Sequence, residues 1–590
     1  MDVNRSKLTK NWIAHLLRWN IASFFLWGTY AFADDVYRED AKSISRGNEL
    51  FQTNCSACHD FSRDGSIGPG LGRVTGVAFK SWIEDFIRNS QAMVEAEDLR
   101  ALKLFDEYKT VMPSYDFSEE DMESLLAYIY SEKRERKRRR SQVVRQGVIS
   151  DPVVESVEPS GLGLVLEPFV CVPRSNRFAP QAKINKMAGV IDGEKHRLFV
   201  NDIRGFLYEI VDGEAVAFLD VAKRFPNFIS KPGFATGMTS FAFSPAFEKD
   251  GLLYTHHAET PAGKLSDFVL PNNTEPMFQY VLVEWKTDET RSRILEGQGR
   301  EIMRIDMFGT AHGVQEIAFN PSVKKGDEDY GNMYVGIGDG SASYKKRMDL
   351  FDGLGLVWGK VLRIDPKGNN SKNGKYGIPP NNPFVVGTQL EASESESFKP
   401  LEEIFASGVR NPNTLSWTPD GKLLVTDIGH HHIEELNWVE SGKDYGWPTF
   451  EGEFEIDLLN DRQRSLFTRK SNSRNAVDPV VMLDHDEIVA IAGGFAIPSE
   501  GEFGLGGKYV FGGIANGRVF MIDLADVKKG SRAQPRELQL IFEGEIVTVS
   551  DLVKYRRADL RFGQDAAGGL YLMSKTTGCI WEIVGIQKID

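Results

Sequence analysis

Hydrophobic residues in the first quarter of the chain recur at the three- and four-residue intervals of an amphipathic helix. Two stripes follow this spacing: Ile44, Gly47, Leu50 and Phe51, and later Met122, Leu125, Leu126 and Ile129. Before the second stripe, Ser118 is followed by three acidic residues, the pattern of an N-cap and an acidic first turn. The spacing therefore predicts one helix around residues 44–51 and a second that starts after Ser118.

From about residue 161 to residue 588 the helical stripes nearly vanish, and short alternating or wholly apolar runs replace them. One theme recurs in this region, a glycine turn followed by an aromatic or aliphatic strand. It starts at Gly205, Gly251, Gly331, Gly421, Gly507 and Gly569. This repetition predicts an all-β six-bladed propeller, and a seven-bladed propeller is the main alternative.

The boundary between the two patterns lies in residues 141–160, which lack helical periodicity and lead into a Pro-Ser-Gly sequence. The predicted organisation is a small all-α domain at 42–132, a basic linker at 133–160 and the propeller at 161–588. The linker begins with a dense run of Lys and Arg up to Arg140. Such a run is either a solvated helix end or a strip that docks an acidic partner or an anionic membrane surface.

Within the helical segment, Cys55-Ser56-Ala57-Cys58-His59 has the C-x-x-C-H spacing with which c-type haem is attached. The two thiols form thioethers with the haem vinyl groups, and the adjacent imidazole binds the iron. A zinc half-site or a disulfide is the alternative, but no second C-x-x-C and no paired His supports either. Residues 42–132 thus resemble a single-haem cytochrome c domain.

The sixth iron ligand is predicted to be Met112, which lies in the sequence Val111-Met112-Pro113. A methionine thioether opposite the histidine is usual where the iron only transfers electrons, and it raises the reduction potential. Met93 is the competing residue, but it lies in a charged, helix-like run where a methionine is more often core filler.

Composition narrows the class of protein further. The chain has 590 residues, 41% of them hydrophobic and 26% charged, which is ordinary for a globular protein of more than one domain. Its formal net charge of -14 argues against a nucleic-acid binder.

The first 33 residues predict an export signal. Basic residues up to Arg18 lead into an apolar run from Ile21 to Phe32, and Ala31-Phe32-Ala33 matches a cleavage site. Export agrees with the haem, because thioether attachment occurs outside the cytoplasm. The protein is therefore predicted to be periplasmic or otherwise exported, and an uncleaved signal would leave it associated with the membrane.

Two cysteines remain beside the haem pair. Cys171 lies in the first strand-like segment of the predicted propeller and Cys579 in the last. Propellers commonly close their ring by pairing the first and last strands, so we predict a disulfide between these residues in an oxidising compartment. Two unrelated buried thiols are the alternative.

The β region contains a series of motifs in a fixed order: Gly336-Ile-Gly-Asp339-Gly340, Gly359-Lys-Val-Leu-Arg363-Ile-Asp365, Gly408-Val-Arg410-Asn411-Pro412, Asp427-Ile-Gly429 and Gly442-Lys-Asp-Tyr-Gly-Trp-Pro448. Together these motifs resemble the glucose/sorbosone dehydrogenase family, which includes the soluble pyrroloquinoline quinone (PQQ) sugar dehydrogenases and the hedgehog-interacting-protein-like proteins. The resemblance covers most of residues 180–585. It implies a propeller with a site in its mouth, where PQQ lies on a calcium ion, a histidine takes a proton from the substrate hydroxyl, and basic residues hold the PQQ carboxylates.

The sequence departs from the family at several of these positions. Ser244 occupies the place that our alignment gives to the catalytic histidine, and Ser341-Ala342 replaces an Arg-Asn pair. A clamping lysine falls near Ala515-Asn516, with Arg518 close by. Arg556 or Arg557 is the counterpart of the last basic pair.

Other histidines lie in loops that could reach the mouth: His256, His257, His312 and the run His430-His431-His432. Each is either a relocated base or metal ligand, or a structural or surface residue. The buried charges of Arg410 and Asp427 are expected to hold loops in place.

Two interpretations of function follow. In the first, the propeller oxidises a sugar or alcohol and passes electrons to the fused haem, and from there to a redox partner protein or a respiratory-chain acceptor. In the second, the propeller is catalytically inactive and serves as a binding or docking module for an electron-transfer cytochrome. Electron transfer through covalent haem is common to both.

Overall fold

A computed structural model of the protein describes residues 36–56, 58–61, 68–108, 112–139, 147–176, 180–231, 233–297, 299–385, 399–459, 465–499, 504–555 and 557–589, without the side chains of 133–139. The predicted export signal and Arg556 lie outside these residues. The described chain forms a small helical domain followed by a large, mostly β domain.

The described helices comprise four in the first domain and three short ones in the second. They are α1 (Ala41–Asn54), α2 (Lys80–Glu95), α3 (Leu99–Tyr108), α4 (Glu119–Arg139), α5 (Val221–Arg224), α6 (Phe247–Asp250) and α7 (Val549–Val553). None of the helices in the described part of the chain combines the length and apolar character needed to cross a membrane.

Both predicted helices are confirmed as α1 and α4, and they pack against each other to form the core of the helical domain. The Oγ atom of Ser118 accepts a hydrogen bond from the amide of Asp121 at 3.1 Å, as an N-cap does. The four apolar residues of the α4 stripe are all nearly or completely buried. A Cβ atom on Gly47 would stand 1.8 Å from the carbonyl oxygen of Ser124, so this glycine allows the close approach of the two helices.

The segment predicted as a linker is more ordered than expected. Helix α4 continues to Arg139, because the basic run extends a helix that the apolar stripe has already started. Downstream, β1 (Val148–Ile149) pairs with a strand far along the chain, and the next strand begins at Glu158 instead of residue 161. The predicted boundary therefore contains secondary structure on both sides.

The β domain adds 28 further strands in the described residues, and their bounds follow in chain order. They are β2 (Glu158–Cys171), β3 (Ile184–Asp192), β4 (Lys195–Asp202), β5 (Phe206–Val211), β6 (Glu214–Asp220), β7 (Ser240–Phe243), β8 (Leu252–Glu259), β9 (Phe278–Lys286), β10 (Arg300–Met307), β11 (Val314–Phe319), β12 (Met333–Ile337), β13 (Lys360–Ile364), β14 (Ile404–Ser407), β15 (Pro412–Trp417), β16 (Leu423–Asp427), β17 (Ile433–Val439), β18 (Phe450–Glu451), β19 (Phe454–Ile456), β20 (Leu466–Thr468), β21 (Val481–Asp484), β22 (Ile491–Ala496), β23 (Lys508–Gly513), β24 (Val519–Asp523), β25 (Arg536–Phe542), β26 (Glu545–Val547), β27 (Leu560–Gln564), β28 (Leu570–Ser574) and β29 (Cys579–Lys588).

These strands form antiparallel runs in which chain neighbours are mostly sheet neighbours. Three runs are separate four-stranded sheets, with the orders β7 to β10, β11 to β14, and β15-β16-β17-β21. Three more are joined in one 13-stranded sheet, and a small sheet holds β1 and β18 to β20. The first strands of six runs, β3, β7, β11, β15, β22 and β27, line one channel with an empty volume of about 2940 Å³. The domain is thus of the mostly β kind expected, while the number of blades stays a prediction because half of the runs share a sheet.

The first and last strands of the β domain are paired, as expected. Strand β2 runs antiparallel to β29 and parallel to β25, so it lies between the end of the chain and an earlier run. Cys171 and Cys579 are partners in this register and form the predicted disulfide. The bond joins residues 408 positions apart.

Candidate functional site

The helical domain contains a cleft with an empty volume of about 680 Å³ around the C-x-x-C-H residues. Most of its wall is apolar or aromatic and comes from α2, α3 and the segment before α4. The lining residues include Cys55, Cys58, His59, Pro69, Phe86, Val94, Leu104, Phe105, Met112, Pro113 and Tyr115. A mostly apolar cleft of this kind suits a haem, which needs dry walls and two axial ligands.

His59 has the geometry of an iron ligand. Its Nδ1 atom lies 2.9 Å from the carbonyl oxygen of Pro69, so Nδ1 donates to this carbonyl and leaves Nε2 as the coordinating atom. A Cβ atom on Gly68 would stand 2.5 Å from Cε1 of His59, so only glycine leaves room for the ring there. Burial lowers the pKa of His59, which favours the neutral form that binds metal.

Met112 lines the same cleft, whereas Met93 is not among the lining residues. The carbonyl oxygen of Met112 accepts a hydrogen bond from Oγ of Ser90 at 2.7 Å, which ties its loop to α2. Nearby, the hydroxyl of Tyr115 donates to the carbonyl oxygen of Asn54 at 2.8 Å. The loop that carries Met112 is therefore fixed to the helices on either side of the cysteines.

The β domain also reaches this cleft. Phe234, from the segment between α5 and β7, is one of the lining residues. Burial raises the pKa of the Cys58 thiol to about 12, and the positive charges of Arg557 and Lys183 oppose this effect, so both cations stand near the cysteine. Helix α1 lies against the short turn Ser343–Lys345 of the β domain. The cleft therefore meets the β domain at the end that carries Phe234, the Ser343–Lys345 turn and these two cations.

That end carries a buried histidine–aspartate pair. Nδ1 of His312 lies 2.7 Å from Oδ1 of Asp339, and both side chains are buried. The carboxylate also accepts the amide of Ser341 at 2.9 Å and the indole N–H of Trp447 at 3.3 Å. Burial alone would raise the pKa of Asp339, but the electrostatic attraction of His312, its hydrogen bond and the charge of Arg410 together outweigh burial and lower this pKa.

The pair fixes the tautomer of the imidazole. An ionised carboxylate only accepts hydrogen bonds, so Nδ1 of His312 carries the proton and Nε2 is the basic atom. Burial is the main cause that lowers the pKa of His312, and the charge of Arg410 adds to it while Asp339 opposes it. The ring is therefore neutral near pH 7 and can accept a proton.

Arg410 and the triple-histidine loop form the wall beside this pair. The guanidinium donates to the Tyr344 hydroxyl at 2.8 Å and lies 3.2 Å from Nδ1 of His430. Tyr344 in turn packs between two imidazoles, with its ring centroid 5.3 Å from that of His312 and 4.8 Å from that of His430. The backbone amides of Arg410 and Asn411 donate to Asp427, as expected for residues that hold loops in place.

Glu451 holds the triple-histidine loop in a single shape. Its Oε1 atom accepts four consecutive backbone amides, those of His430, His431, His432 and Ile433, at 2.6 to 3.1 Å. A carboxylate that accepts several amides in this way is strongly fixed. The loop thus presents its histidines from a rigid base.

On the other side of the same end lies a cluster of partly buried cations. It consists of Lys183, Arg204, Arg557, Arg561 and Lys575, and its nearby carboxylates are Asp202 and Asp559. Burial lowers the pKa of Lys183 to about 8 and that of Arg561 to about 10, and it lowers the pKa of Lys575 well below its ordinary value. Partly buried positive charges in excess of their carboxylates favour the binding of an anion.

Ser244 does not lie at the end of the β domain that carries His312 and the cation cluster. Thr239, just before β7, donates to the carbonyl oxygen of Val314 at the start of β11, which places the starts of these strands side by side. His312 precedes that start, whereas Ser244 follows the end of β7, about 13 Å further along at the rise of a β-strand. Its hydroxyl donates to Asp250 at 2.6 Å and accepts from Lys367 at 3.4 Å. Ser244 therefore lies at the opposite end of β7 from His312, and its presence does not affect which base is available at the His312 end.

Some of the remaining predicted residues lie at the end of the β domain that carries His312, and the others have structural partners elsewhere. Oγ of Ser341 bonds both backbone polar groups of Ala311, and Arg557 pairs with Asp559 in the cation cluster. The side-chain amide of Asn516 donates to a backbone carbonyl, while Arg518 pairs with Glu487 and Glu537. His256 and His257 are buried beside Thr239 and Glu259 inside the sheet that begins with β7.

Sequence reasoning missed Phe234, Lys183, Arg204, Arg561 and Lys575. Each is a single residue in a loop or at a strand end, without a motif around it, so no local signal could have found it. In the described part of the chain, no group of three or more His, Cys, Asp or Glu side chains is placed to hold a metal ion.

Comparison with known proteins agrees with this division of the chain. A model of the glucose/sorbosone dehydrogenase family matches residues 190–551, and a cytochrome c model matches residues 44–133. The HIPL1 protein of Arabidopsis thaliana is 26% identical over 349 residues, which cover 52% of this chain and 47% of HIPL1. Quinoprotein glucose dehydrogenase B of Acinetobacter calcoaceticus is 34% identical over 94 residues, 16% of each chain.

Among solved structures, the PQQ-bound form of an aldose sugar dehydrogenase from Streptomyces coelicolor is 19% identical, covers 72% of this chain and 98% of its own, and superposes with a TM-score of 0.46. The present chain spans about half the length of the HIPL1 protein.

Proposed function

Since this chain belongs to the glucose/sorbosone dehydrogenase family and carries a cytochrome c domain, we propose that it is an exported quinoprotein dehydrogenase that oxidises a sugar or an alcohol and transfers the electrons to its own haem. The β domain would be a six-bladed propeller. One observation carries the proposal: the haem cleft meets the β domain at the same end as the His312–Asp339 pair and the cation cluster.

Haem c is implied by the cytochrome domain, and the residues present fit it. The proposed attachment points are Cys55 and Cys58, with His59 and Met112 as axial ligands, because these residues line one apolar cleft and the imidazole is already oriented by Pro69. The haem supplies a one-electron carrier. The chain supplies the dry walls and the two ligands that set its potential.

PQQ is proposed at the mouth, held by the cation cluster. The molecule carries carboxylates, and the excess of partly buried cations around Lys183, Arg561 and Lys575 provides positive charges that can pair with them. When bound, PQQ supplies an acceptor for two electrons. Calcium is carried over from the family resemblance alone, and Arg556 stays a proposed contact because it lies outside the described residues.

His312 is the proposed general base. Asp339 holds its Nδ1 proton, so Nε2 accepts the proton of the substrate hydroxyl. Arg410 and Tyr344 fix the neighbouring wall and keep a positive charge beside the ring, which favours its neutral form. The cytochrome domain contacts this end, so electrons that leave the site would meet a tethered acceptor at an effective concentration of roughly millimolar.

The test of this proposal is a spectral titration of the oxidised, haem-loaded protein. PQQ and Ca²⁺ are added first, followed by a panel of aldoses and alcohols, while the α-band of reduced haem is monitored. We expect haem reduction that requires both PQQ and one class of substrate. Absence of PQQ binding, in a protein whose haem is still reduced by dithionite, would overturn the dehydrogenase proposal.

That negative outcome would favour the second candidate, an inactive propeller that docks an electron-transfer cytochrome. The similarity to the HIPL1 protein and to the hedgehog-interacting protein of Mus musculus, 26% identical over 223 residues, is the observation that keeps this candidate open. Its haem would then accept electrons from a partner protein instead of the β domain.

The ligand assignment predicts a large difference between two methionines. Because methionine as the sixth ligand raises the reduction potential, we expect Met112→Ala to lower the midpoint potential by on the order of 100 mV, within the roughly 0.8 V that axial ligands control. Met93→Ala is the matched control and should leave the potential and the spectrum unchanged. Redox titration followed by visible absorption measures both, and an equal effect of the two changes would contradict the assignment.

A further inference from the structure

We infer that Phe234 completes the haem pocket from the β domain, so that the reduction potential of the cytochrome is set in part by the β domain. The inference rests on the proposed haem attachment, but not on PQQ binding or on catalysis. It assigns a positioning residue whose role is to exclude water from one edge of the haem.

The segment that carries Phe234 is anchored on both sides of this residue. The amide of Gly233 donates to Oγ1 of Thr236 at 2.9 Å, and the amide of Ala235 donates to the carbonyl oxygen of Thr310 at 3.0 Å. A few residues on, the amide of Met238 donates to the carbonyl oxygen of Ile203 at 2.9 Å. The ring is thus held at the cleft by backbone bonds to two other parts of the β domain.

This anchoring also connects Phe234 to the proposed catalytic end. Thr310, which bonds the residue after Phe234, lies two positions before His312 in the chain. Between them, Ala311 is held by Oγ of Ser341. The wall of the haem cleft and the proposed base therefore belong to one continuous set of backbone contacts.

The cationic side chain of Lys183 lies next to the same segment. Gly233 has a φ of +87°, and a Cβ atom there would stand 2.7 Å from Nζ of Lys183, so the glycine permits the lysine to approach. Lys183 and Arg557 are also the cations that influence Cys58. An aromatic wall and two positive charges thus converge on the edge of the cleft near this cysteine.

Both features act on the haem in the same direction. The oxidised haem carries one more positive charge than the reduced haem, so a dry wall and neighbouring cations disfavour the oxidised form. Removing the ring admits water to the cleft edge and stabilises the oxidised form. The potential should therefore fall when Phe234 is truncated and stay near its original value when an apolar side chain of similar size remains.

The experiment compares three variants of the full-length, haem-loaded protein by redox titration. For Phe234→Ala we expect the ratio of Fe(II) to Fe(III) at a fixed solution potential to fall about tenfold, which corresponds to about 59 mV for a one-electron couple. Phe234→Leu should restore most of the wild-type ratio. Phe79→Ala is the control, since Phe79 is 59% exposed on the helical domain and does not line the cleft.

The outcomes separate this inference from the proposed function. Wild-type protein without a haem spectrum would refute the haem attachment itself. An unchanged ratio in Phe234→Ala, with normal haem content and thermal unfolding, would overturn the inference and leave the proposed function intact. Equal shifts in Phe234→Ala and Phe234→Leu would also overturn it, because water exclusion would then not be the cause.

Discussion

Replacing His312 by glutamine should slow the PQQ-dependent reduction of haem by substrate by about 10²- to 10⁴-fold, the usual contribution of a positioned general base. Glutamine keeps a polar side chain of similar length opposite Asp339 but has no nitrogen that accepts a proton near neutrality. The haem spectrum and its reduction by dithionite should be unchanged. Rapid-mixing kinetics of the haem α-band after addition of substrate measure the effect.

The pH dependence provides an independent check of the same assignment. A base whose pKa is lowered is already neutral at pH 7, so the wild-type rate should stay level down to about pH 6.5, the ordinary pKa of histidine, and fall only on further acidification. The residual rate of His312→Gln should lack this acid limb. His196→Gln, at an exposed position on β4, is the control and should keep both the rate and the profile. A wild-type acid limb in His312→Gln would assign the base to another residue.

The second large effect concerns stability. Removing the disulfide with Cys171→Ser and Cys579→Ser together should lower the free energy of unfolding by about 2–5 kcal/mol, the range found for native disulfides. The chain-entropy model gives about 6 kcal/mol for a loop of this length, and the antiparallel ladder of β2 and β29 persists without the bond, so we expect the measured loss to be smaller. Denaturant unfolding followed by circular dichroism measures it.

The double replacement avoids a lone reactive thiol, which would confuse the comparison. Wild-type protein treated with a reductant is the control, and it should approach the stability of the variant. An unchanged midpoint of unfolding in the variant would mean that the paired strands alone close the domain.

The helical domain was predictable because its signals are local. The α4 stripe, its N-cap and the C-x-x-C-H spacing each involve residues within a few turns of one another, so a reader of the sequence sees the complete pattern. Helix α1 and the cap at Ser118 were confirmed for this reason. The extension of α4 into the basic run was missed because charge at a helix end looks like charge in a linker.

The strand order of the β domain was harder to predict, and one glycine explains part of the difficulty. Five of the six recurring glycines precede the second strand of a run, but Gly205 precedes β5, the third strand of its run. The true second strand, β4, follows the turn at Gly193. It begins with the polar residues Lys195, His196 and Arg197, so the glycine is not followed directly by an apolar strand. Strand order is set by pairing between distant segments, so a local theme identifies strands better than it identifies their positions.

The proposed active site shows the same limit of sequence analysis, because its residues are brought together from distant parts of the chain. His312 was one of several histidines that the sequence offered, and what distinguishes it is the contact with Asp339, 27 residues later. The alignment placed the position of the family's catalytic histidine at Ser244, but a short sequence motif does not distinguish the two ends of an inner strand. Phe234 and Lys183 carry no motif at all, and their roles depend on a second domain.

The position of β2 has a consequence for the order in which the two domains fold. This strand follows the cytochrome domain in the chain, yet its partners are β25 and β29, which are synthesised several hundred residues later. The helical domain can therefore fold before these partners have been synthesised, because its core contains only its own residues. The β domain, in contrast, can pair β2 on both sides only after the ten residues of its final strand, Cys579–Lys588, have been synthesised.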